Sequence, residues 1–383
     1  MKNNVEVEEW LFAACAFGLS APYFLWGLPL NGILFILSTI LVLRNWNLPN
    51  DISKIVIYIP VFFLLYLWVA FRSNFTIIGM LTVSMFWAIF VARSDFLSHS
   101  FEKYKTIFAI TLIPSILFYV LFLLGFELSY KTIEPINEIK EGFYRVYPFT
   151  IMYEEIPGIP MLRFHAYYDE PGIVGTISAI LLIIDNLDLK KKINIPIFIA
   201  GLLSLSLFFY VIILMYFFAF AKPKFKIVGG LLFLFIGILF VSIVGQDFPF
   251  FQRFVFENGK FVGDTRTSGP FEVWYSNYIS SIDVLHGYGG NKSQIINPGG
   301  SSYKDLVVNY GVIFFVSYIL SFLAYIEYHC ESRFTRLVCV FVFLCTLYQR
   351  PAIYDYFYLF LWCGMICSLH QKTKSNSYDI IVQ

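Results

Sequence analysis

Polar side chains that can bind or transfer protons cluster in one stretch of an otherwise apolar chain: Arg163, His165, Asp169 and Glu170. Pro171 follows and interrupts the chain just before an apolar segment. Proline suits the first turn of a helix because its missing N–H would be unpaired there. Glu170 is therefore expected at the positive end of a helix dipole, where an anion is stabilised. The spacing makes Glu170, Asp169 and His165 candidate acid–base groups, with a helix cap and local salt bridges as the alternative.

Further cationic and glycine-rich positions follow in the second half of the chain. The stretch 246–305 contains Arg266, His286 and Gly289, and glycine permits close approach of a ligand to the backbone. The pattern matches neither a P-loop nor a dinucleotide fingerprint, and flexible re-entry into a membrane is the alternative. Arg350 occupies a short turn between two apolar segments. A guanidinium there could bind a lipid-linked phosphate through two parallel hydrogen bonds, or extend to the membrane surface without a specific role.

The elements that must position these residues are membrane helices. Of the 383 residues, 58% are hydrophobic and only 14% are charged, with a mean hydropathy of +0.70. Soluble domains carry about 25% charged residues, so this composition leaves too little polar surface for a soluble protein. The formal net charge of +1 provides no basic surface for nucleic acid. The six cysteines lie in or beside apolar segments, so neither a disulfide framework nor a cysteine metal site is expected.

Apolar segments of about 20 residues can cross the hydrocarbon core as helices. Scanning at this length gives 10–26, 28–43, 54–71, 76–92, 106–126, 171–187, 194–221, 226–245, 306–326, 334–348 and 353–369. Lys and Arg mark cytoplasmic loops, and lysines flank 194–221 on both sides, at 190–192 and at 222, 224 and 226. This segment is therefore predicted to be a tight helical hairpin that turns near 204–206, with a single long tilted helix as the alternative.

The predicted fold class is an all-α integral membrane protein with about 12 transmembrane helices. A single polytopic domain covers 1–383, with both termini in the cytoplasm and two enlarged external loops, roughly 127–170 and 246–305. The spans are nearly free of ionisable residues, and Asp185 and Glu327 at helix ends are expected at the membrane interface. Because intramembrane charges mark ion pathways, their scarcity places the expected chemistry at the outer surface.

The pattern resembles the family of O-antigen polymerases and O-antigen ligases, polytopic membrane enzymes of bacterial polysaccharide synthesis. The resemblance covers the many-spanning architecture and the two enlarged external loops. Short motifs add to it: Arg163…Asp169-Glu170-Pro171-Gly172…Gly175, the turn with Ser204 and Ser206, the run Gly287-x-Gly289-Gly290, and Asn309-Tyr-Gly311 before a helix.

The resemblance implies a glycosyltransferase of the bacterial cytoplasmic (inner) membrane that works at the periplasmic or extracellular face. It would transfer a glycan from an undecaprenyl-diphosphate carrier to a lipid-linked repeat unit, without a nucleotide, metal or other cofactor. The implied partners are the lipid-linked oligosaccharide and, in the same membrane, a chain-length regulator and a flippase. Nucleic acid is not an expected partner.

The same resemblance, carried over by position, implies a role for the arginines, and the remaining roles are assigned from the residue types. Three arginines would bind the diphosphate: Arg163, Arg266 and Arg350. Three residues are candidates to orient and deprotonate the acceptor: Glu170, Asp169 and His165. Three more are candidates for substrate contacts: Tyr168, His286 and Gly289. General acid–base work on a hydroxyl and charge stabilisation of a diphosphate leaving group are the two tasks that these residue types can perform.

Three functions are open at this point: a polymerase of O-antigen or capsule, an O-antigen ligase, and a flippase or exporter of lipid-linked glycan. Ligases of the family carry a His shortly before the helix that follows the second loop, where this chain has Ser301 or Ser302. A flippase is expected to have short outer loops and charges lining a central cavity, which is the reverse of this pattern. The polymerase is therefore the favoured prediction.

Overall fold

The structure is a computed structural model. It describes residues 2–46, 52–135, 142–156, 159–160, 163–220, 256–257, 260–261, 268–290, 292–296, 298, 302–351 and 353–381. The predicted span 226–245 and Arg266 lie outside these residues.

Most of the described chain is helical. The α-helices are α1 (Lys2–Leu19), α2 (Leu30–Arg44), α3 (Ile52–Arg72), α4 (Ile77–Ser84), α5 (Ser94–Leu123), α6 (Pro171–Ile184), α7 (Asn194–Leu203), α8 (Leu207–Phe220), α9 (Gly269–Tyr278), α10 (Lys292–Ile296), α11 (Tyr303–Tyr310), α12 (Val312–His329), α13 (Arg333–Gln349) and α14 (Tyr356–Ile381). Short 3-10 helices cover Tyr23–Leu25, Phe86–Val91 and Ile282–Leu285.

Two described helices, α5 and α12, are long and apolar enough to cross a membrane by length and composition. Other apolar helices, including α2, α6 and α7, are shorter. Two predicted spans are interrupted: 76–92 divides into α4 and a 3-10 helix, and 306–326 divides at Gly311, whose φ is 92°. A positive φ suits glycine because it has no Cβ. The described residues therefore do not confirm about 12 spanning helices.

The predicted break in 194–221 is confirmed. Helix α7 ends at Leu203 and α8 begins at Leu207, with Leu205 in the left-handed region at a φ of 48°. The chain folds back on itself here, since the Tyr210 hydroxyl donates to the Leu202 carbonyl at 2.8 Å. With 10 residues, α7 is only about 15 Å long. It is too short to cross a hydrocarbon core of about 30 Å.

The all-α prediction is wrong for the first external loop. Residues there form a four-stranded antiparallel sheet in sequence order, with strands β1 (Lys131–Ile133), β2 (Phe143–Tyr147), β3 (Thr150–Ile156) and β4 (Ile159–Pro160). A two-stranded ribbon, β5 (Phe256–Glu257) and β6 (Lys260–Phe261), lies in the second loop. Tyr144 in β2 pairs with Tyr153 in β3. Aromatic residues suit a half-buried pleated surface, which accounts for strands in this segment.

Helix α6 lies at the centre of the core. Every residue from Pro171 to Ile184 is buried except Ile173, and α7, α8 and α14 pack around this helix. A helix that is apolar on all sides is stable only when it is enclosed on all sides. Its two ends are therefore the places where polar groups can meet it.

Basic residues from distant parts of the sequence gather near the carboxyl end of α6. Lys105, Lys191 and Lys372 all contact the Asp185 carboxylate, which follows the helix directly. The Asp185 side chain has no exposed surface. Asp185 is therefore enclosed by protein, and three ammonium groups make this burial tolerable. Its position at the membrane interface stays a prediction. By contrast, Glu327 is 63% exposed and pairs with Arg336.

Candidate functional site

The amino end of α6 carries Glu170 at the position that precedes the first helical residue. Its backbone is extended, with φ −131° and ψ 134°, and the side chain makes no capping hydrogen bond to the helix. Instead, the Glu170 carboxylate accepts a hydrogen bond from Nη2 of Arg350. The sequence-predicted base and one sequence-predicted arginine are thus in direct contact across 180 residues of chain.

Helix α6 leaves a space into which this guanidinium fits. A Cβ atom added at Gly172 would lie 2.7 Å from Arg350 Nη2 and 3.7 Å from Arg350 Cζ. Carbon atoms do not approach a nitrogen this closely, so only glycine permits the observed position of Arg350. The Arg350 side chain is 18% exposed, whereas the Glu170 side chain is 43% exposed. The pair therefore lies at the edge of the core, with the carboxylate on the open side.

The neighbouring carboxylate, Asp169, is held by the sheet. The Tyr144 hydroxyl donates to the Asp169 carboxylate and, at 2.7 Å, to the Asp169 backbone carbonyl. Burial and the charges of Asp169 and Glu170 raise the pKa of Tyr144 well above its usual value. Tyr144 therefore stays protonated and acts as a donor. The first external loop thus orients one of the two adjacent carboxylates.

The ionisation of the surrounding groups follows from burial and from mutual charge. Burial alone would lower the pKa of Arg350, but the Glu170 carboxylate outweighs it and raises that pKa, so the guanidinium remains charged. Asp355, in the turn between α13 and α14, feels the same guanidinium, yet burial raises its pKa to about 6. Arg350 thus has three carboxyl groups in electrostatic reach: Glu170, Asp169 and Asp355.

His165 and Tyr168 lie inside the protein. His165 is 3% exposed, and its ring centroid is 6.0 Å from that of Tyr144, edge to face. Tyr168 is 0% exposed, with its hydroxyl 2.9 Å from Ser20 Oγ. Substrate contact by Tyr168 stays a prediction, and its ring has no exposed face in this structure. The contacts of His165 and Tyr168 hold the segment that carries Asp169 and Glu170.

Arg163 contacts the turn between α7 and α8. It donates to the carbonyls of Ser204 and Leu205, at 3.4 Å and 3.3 Å. These carbonyls follow the carboxyl end of α7, where a cation is favoured by the helix dipole. The same turn packs on α6, since a Cβ at Gly175 would collide with Ser206. Arg163 thus links the segment before Glu170 to the hairpin, and no described contact joins it to Arg350.

His286 and Gly289 form a second cluster, around an arginine that the sequence analysis missed. Arg72, at the end of α3, donates to the carbonyls of His286, at 3.2 Å, and Gly287. The Gly289 φ is 72°, and a Cβ there would lie 3.2 Å from Arg72. The side chain of His286 is 54% exposed. Of the predicted site residues, these two therefore lie with Arg72 and not at the Glu170–Arg350 pair.

Three residues of the two clusters escaped the sequence analysis: Arg72, Tyr144 and Asp355. Arg72 and Asp355 had a usable signal, because each is an ionisable residue at the end of an apolar segment. Tyr144 had none, because its partner Asp169 becomes its neighbour only when the sheet forms. Phe75, three residues after Arg72, contacts Tyr354, which precedes Asp355, with the two ring centroids 6.3 Å apart.

The described ranges contain no group of three or more His, Cys, Asp or Glu side chains placed to hold a metal ion. Comparison of the chain with protein-family models, curated proteins and solved structures finds no match. The contacts and exposure of the candidate site residues are therefore the basis for assigning a function. The mostly buried guanidinium of Arg350 can bind an anion, and the more exposed carboxylate of Glu170 beside it can accept a proton.

Proposed function

We propose that this chain is a bacterial membrane glycosyltransferase that polymerises a surface polysaccharide, either O-antigen or capsule. It transfers a glycan from an undecaprenyl-diphosphate-linked donor onto a lipid-linked repeat unit at the outer leaflet. The observation that carries the proposal is the Glu170–Arg350 pair at the start of the enclosed helix α6. A diphosphate leaving group needs a cation, and an acceptor hydroxyl needs a base. The pair places one of each side by side.

The assignment of sides supports an outward-facing site. Segments expected in the cytoplasm from their Lys and Arg content meet at one end of the bundle. Lys105, Lys191 and Lys372 share Asp185, and Arg44 binds Glu8 at 2.7 Å. The Glu170–Arg350 pair lies at the opposite end of α6. In the proposed topology of about 12 transmembrane helices, both termini are cytoplasmic and the pair faces outward.

The chemistry assigned to each residue follows from its position. The acceptor hydroxyl oxygen attacks the anomeric carbon of the donor, and the bond between that carbon and the diphosphate oxygen breaks. Arg350 stabilises the charge on the departing diphosphate through charge-assisted hydrogen bonds. Glu170 takes the proton from the acceptor hydroxyl, with Asp169 as its immediate neighbour. No proton transfer to the diphosphate is needed, because diphosphate is a stable anion.

One observation favours a polymerase over a ligase. In place of the ligase histidine, Ser302 caps α11, and the Asp305 carboxylate accepts from the Ser302 backbone N–H at 2.7 Å. This reciprocal capping box gives the position a structural role. The test is a surface-glycan gel of a strain lacking this chain. A single repeat unit on the lipid anchor supports the polymerase, whereas an unmodified anchor would indicate a ligase or a flippase.

Complementation of that strain tests the site. Arg350→Ala should yield no polymer at normal protein level, because the leaving group loses a charge-assisted partner. Arg350→Lys should restore polymer only in part, since an ammonium cannot form the two-pronged contact. Arg336→Ala is the matched control: Arg336 lies at the other end of α13 and also pairs with a glutamate, Glu327. Full-length polymer from Arg350→Ala would contradict the assignment.

A further inference from the structure

The guanidinium of Arg350 is already engaged through one of its nitrogens. Its Nη2 donates to the Glu170 carboxylate and is also the atom that lies against Gly172. With only 18% of the side chain exposed, Arg350 has little freedom to turn another edge toward an incoming ligand. A diphosphate that approaches from the open side meets the Glu170 carboxylate first, since Glu170 is the more exposed partner at 43%.

A carboxylate and a phosphate compete for the same donors. The Glu170 carboxylate accepts from Arg350 Nη2, and Arg350 Nε is buried without a hydrogen bond to any described residue, so a diphosphate that arrives from the open side competes with Glu170 for Nη2. The charges around the pair strengthen this competition. Two further carboxyl groups, Asp169 and Asp355, reach Arg350, and the nearby phenols of Tyr144 and Tyr358 are neutral donors or acceptors, not cations. Arg350 is therefore a cation at this pair that can neutralise a diphosphate.

We propose that Arg350 holds Glu170 neutralised in the resting enzyme, and that the diphosphate of the lipid-linked donor displaces Glu170 and thereby releases it as the base. This inference rests on the proposed function and adds regulation to the same site. The released carboxylate lies between the bound diphosphate and Asp169, and like charges make it a stronger proton acceptor. The base thus becomes active only when donor is present, which limits reaction of the site with anything else.

The glycosyl transfer forms and breaks the same bonds in the presence of this displacement as without it. The acceptor oxygen forms a bond to the anomeric carbon, and the bond to the diphosphate oxygen breaks with its electron pair. The acceptor proton passes to the free Glu170 carboxylate. When the diphosphate carrier leaves, Glu170 loses this proton to water and pairs with Arg350 again.

The test is pyrophosphate binding to the purified full-length protein in detergent, measured by calorimetry. Glu170→Gln removes the internal competitor but keeps the shape, so it should bind inorganic pyrophosphate about tenfold more tightly than the wild type. The same variant should make no polymer in cells. Arg350→Ala, or Arg350→Lys if the alanine variant does not fold, should bind pyrophosphate more weakly than the wild type.

Glu272→Gln is the matched control, because Glu272 is also 43% exposed and pairs with a lysine, Lys304, that is 19% exposed. Its pyrophosphate affinity should equal that of the wild type. Equal or weaker binding by Glu170→Gln, or no measurable binding by it, would overturn the displacement. Failure of the proposed function looks different: the deletion strain would have normal glycan whatever the pyrophosphate affinities. Normal polymer from Glu170→Gln would remove the base assignment.

Discussion

Helix α6 has a carboxylate next to each end, and the two carboxylates differ in their cationic partners and in their exposure. Glu170 at the amino end pairs with Arg350 and has a 43% exposed side chain. Asp185 at the carboxyl end has three lysine partners and no exposed surface. The helix dipole favours an anion at the amino end and disfavours it at the carboxyl end. The carboxyl end of α6 is unfavourable for an anion, and it is there that lysines neutralise the carboxylate, Asp185.

We infer from this difference that the Asp185 end of α6 serves stability and the Glu170 end serves function. Burial alone would raise the pKa of Asp185, but hydrogen bonds from Lys105, Lys191 and Lys372 outweigh it and hold the pKa well below its usual value. Such a network fixes α5, the loop after α6 and α14 to one another. The Glu170–Arg350 pair is a minimal arrangement that a stronger anion can open. We therefore expect mutations at the two ends to have different signatures.

The largest effect is expected at the Asp185 end. Asp185→Asn leaves three ammonium groups around a neutral amide, and breaking a buried ion pair lowers the free energy of unfolding by about 3–5 kcal/mol. Protein level in membranes and the melting temperature in detergent should both fall. Asp188→Asn, in the same loop, is the control and should change stability by less than about 0.5 kcal/mol. Wild-type stability of Asp185→Asn would remove the distinction between the two ends.

A smaller effect is expected where α6 meets the hairpin. Gly175→Ala forces the new methyl group against Ser206, and Ser204 Oγ lies 2.9 Å from the added carbon. Overpacking of this kind lowers the free energy of unfolding by about 1–3 kcal/mol. In contrast, Gly32→Ala places its methyl group in open space and should not destabilise the protein. If both alanine variants melt at the same temperature, the hairpin does not pack on α6 as described.

The pH dependence of stability sharpens the comparison further. Burial raises the pKa of Asp355 to about 6, so the folded state favours its protonated form. That stabilisation is present below the ordinary value near 4 and is lost as pH rises through about 6. Asp185 behaves oppositely, since its lowered pKa adds stability that is lost only at acidic pH. Between pH 4 and 7, Asp355 should therefore contribute to the slope of stability against pH, whereas Asp185 should not.

Asp355→Asn should remove much of this slope. The amide keeps the hydrogen bond from the Phe357 backbone N–H, which is 2.9 Å in the wild type. At pH 7.5 the variant should be about 1 kcal/mol more stable than the wild type, as judged by thermal melting. Asp305, whose burial also raises its pKa to about 6, should account for a remaining slope. An unchanged pH profile in Asp355→Asn would show that its carboxyl group is not desolvated by the fold.

The sequence predicted the helices around the candidate site better than the contacts between them. The predicted span 171–187 corresponds to α6 at Pro171–Ile184, and the break near Ser204 was recognised because lysines flank both sides of the segment. Hydropathy and charge act locally, so they report on local structure. The pairing of Glu170 with Arg350 joins residues 180 apart, and no local pattern encodes such a partner.

The errors have the same origin. The burial of Asp185 was not predicted, because the sequence does not show that Lys105 and Lys372, which are 80 and 187 residues away in the chain, contact it. The strands of the first external loop were missed because burial along β2 does not alternate: its buried residues, Tyr144 and Tyr147, are three positions apart. Tyr144 and its hydrogen bond to Asp169 were therefore not predicted.

The most direct test of the account is the double variant Glu170→Gln/Arg350→Gln. It removes both charges together, so neither is left buried without its partner, and stability should stay close to that of the wild type. Surface-glycan gels of the complemented deletion strain, read beside the melting temperature of the purified protein, give the result. The account predicts a near-normal melting temperature and a single repeat unit with no polymer. Full-length polymer from this variant would contradict it, because the pair would then serve neither the diphosphate nor the acceptor.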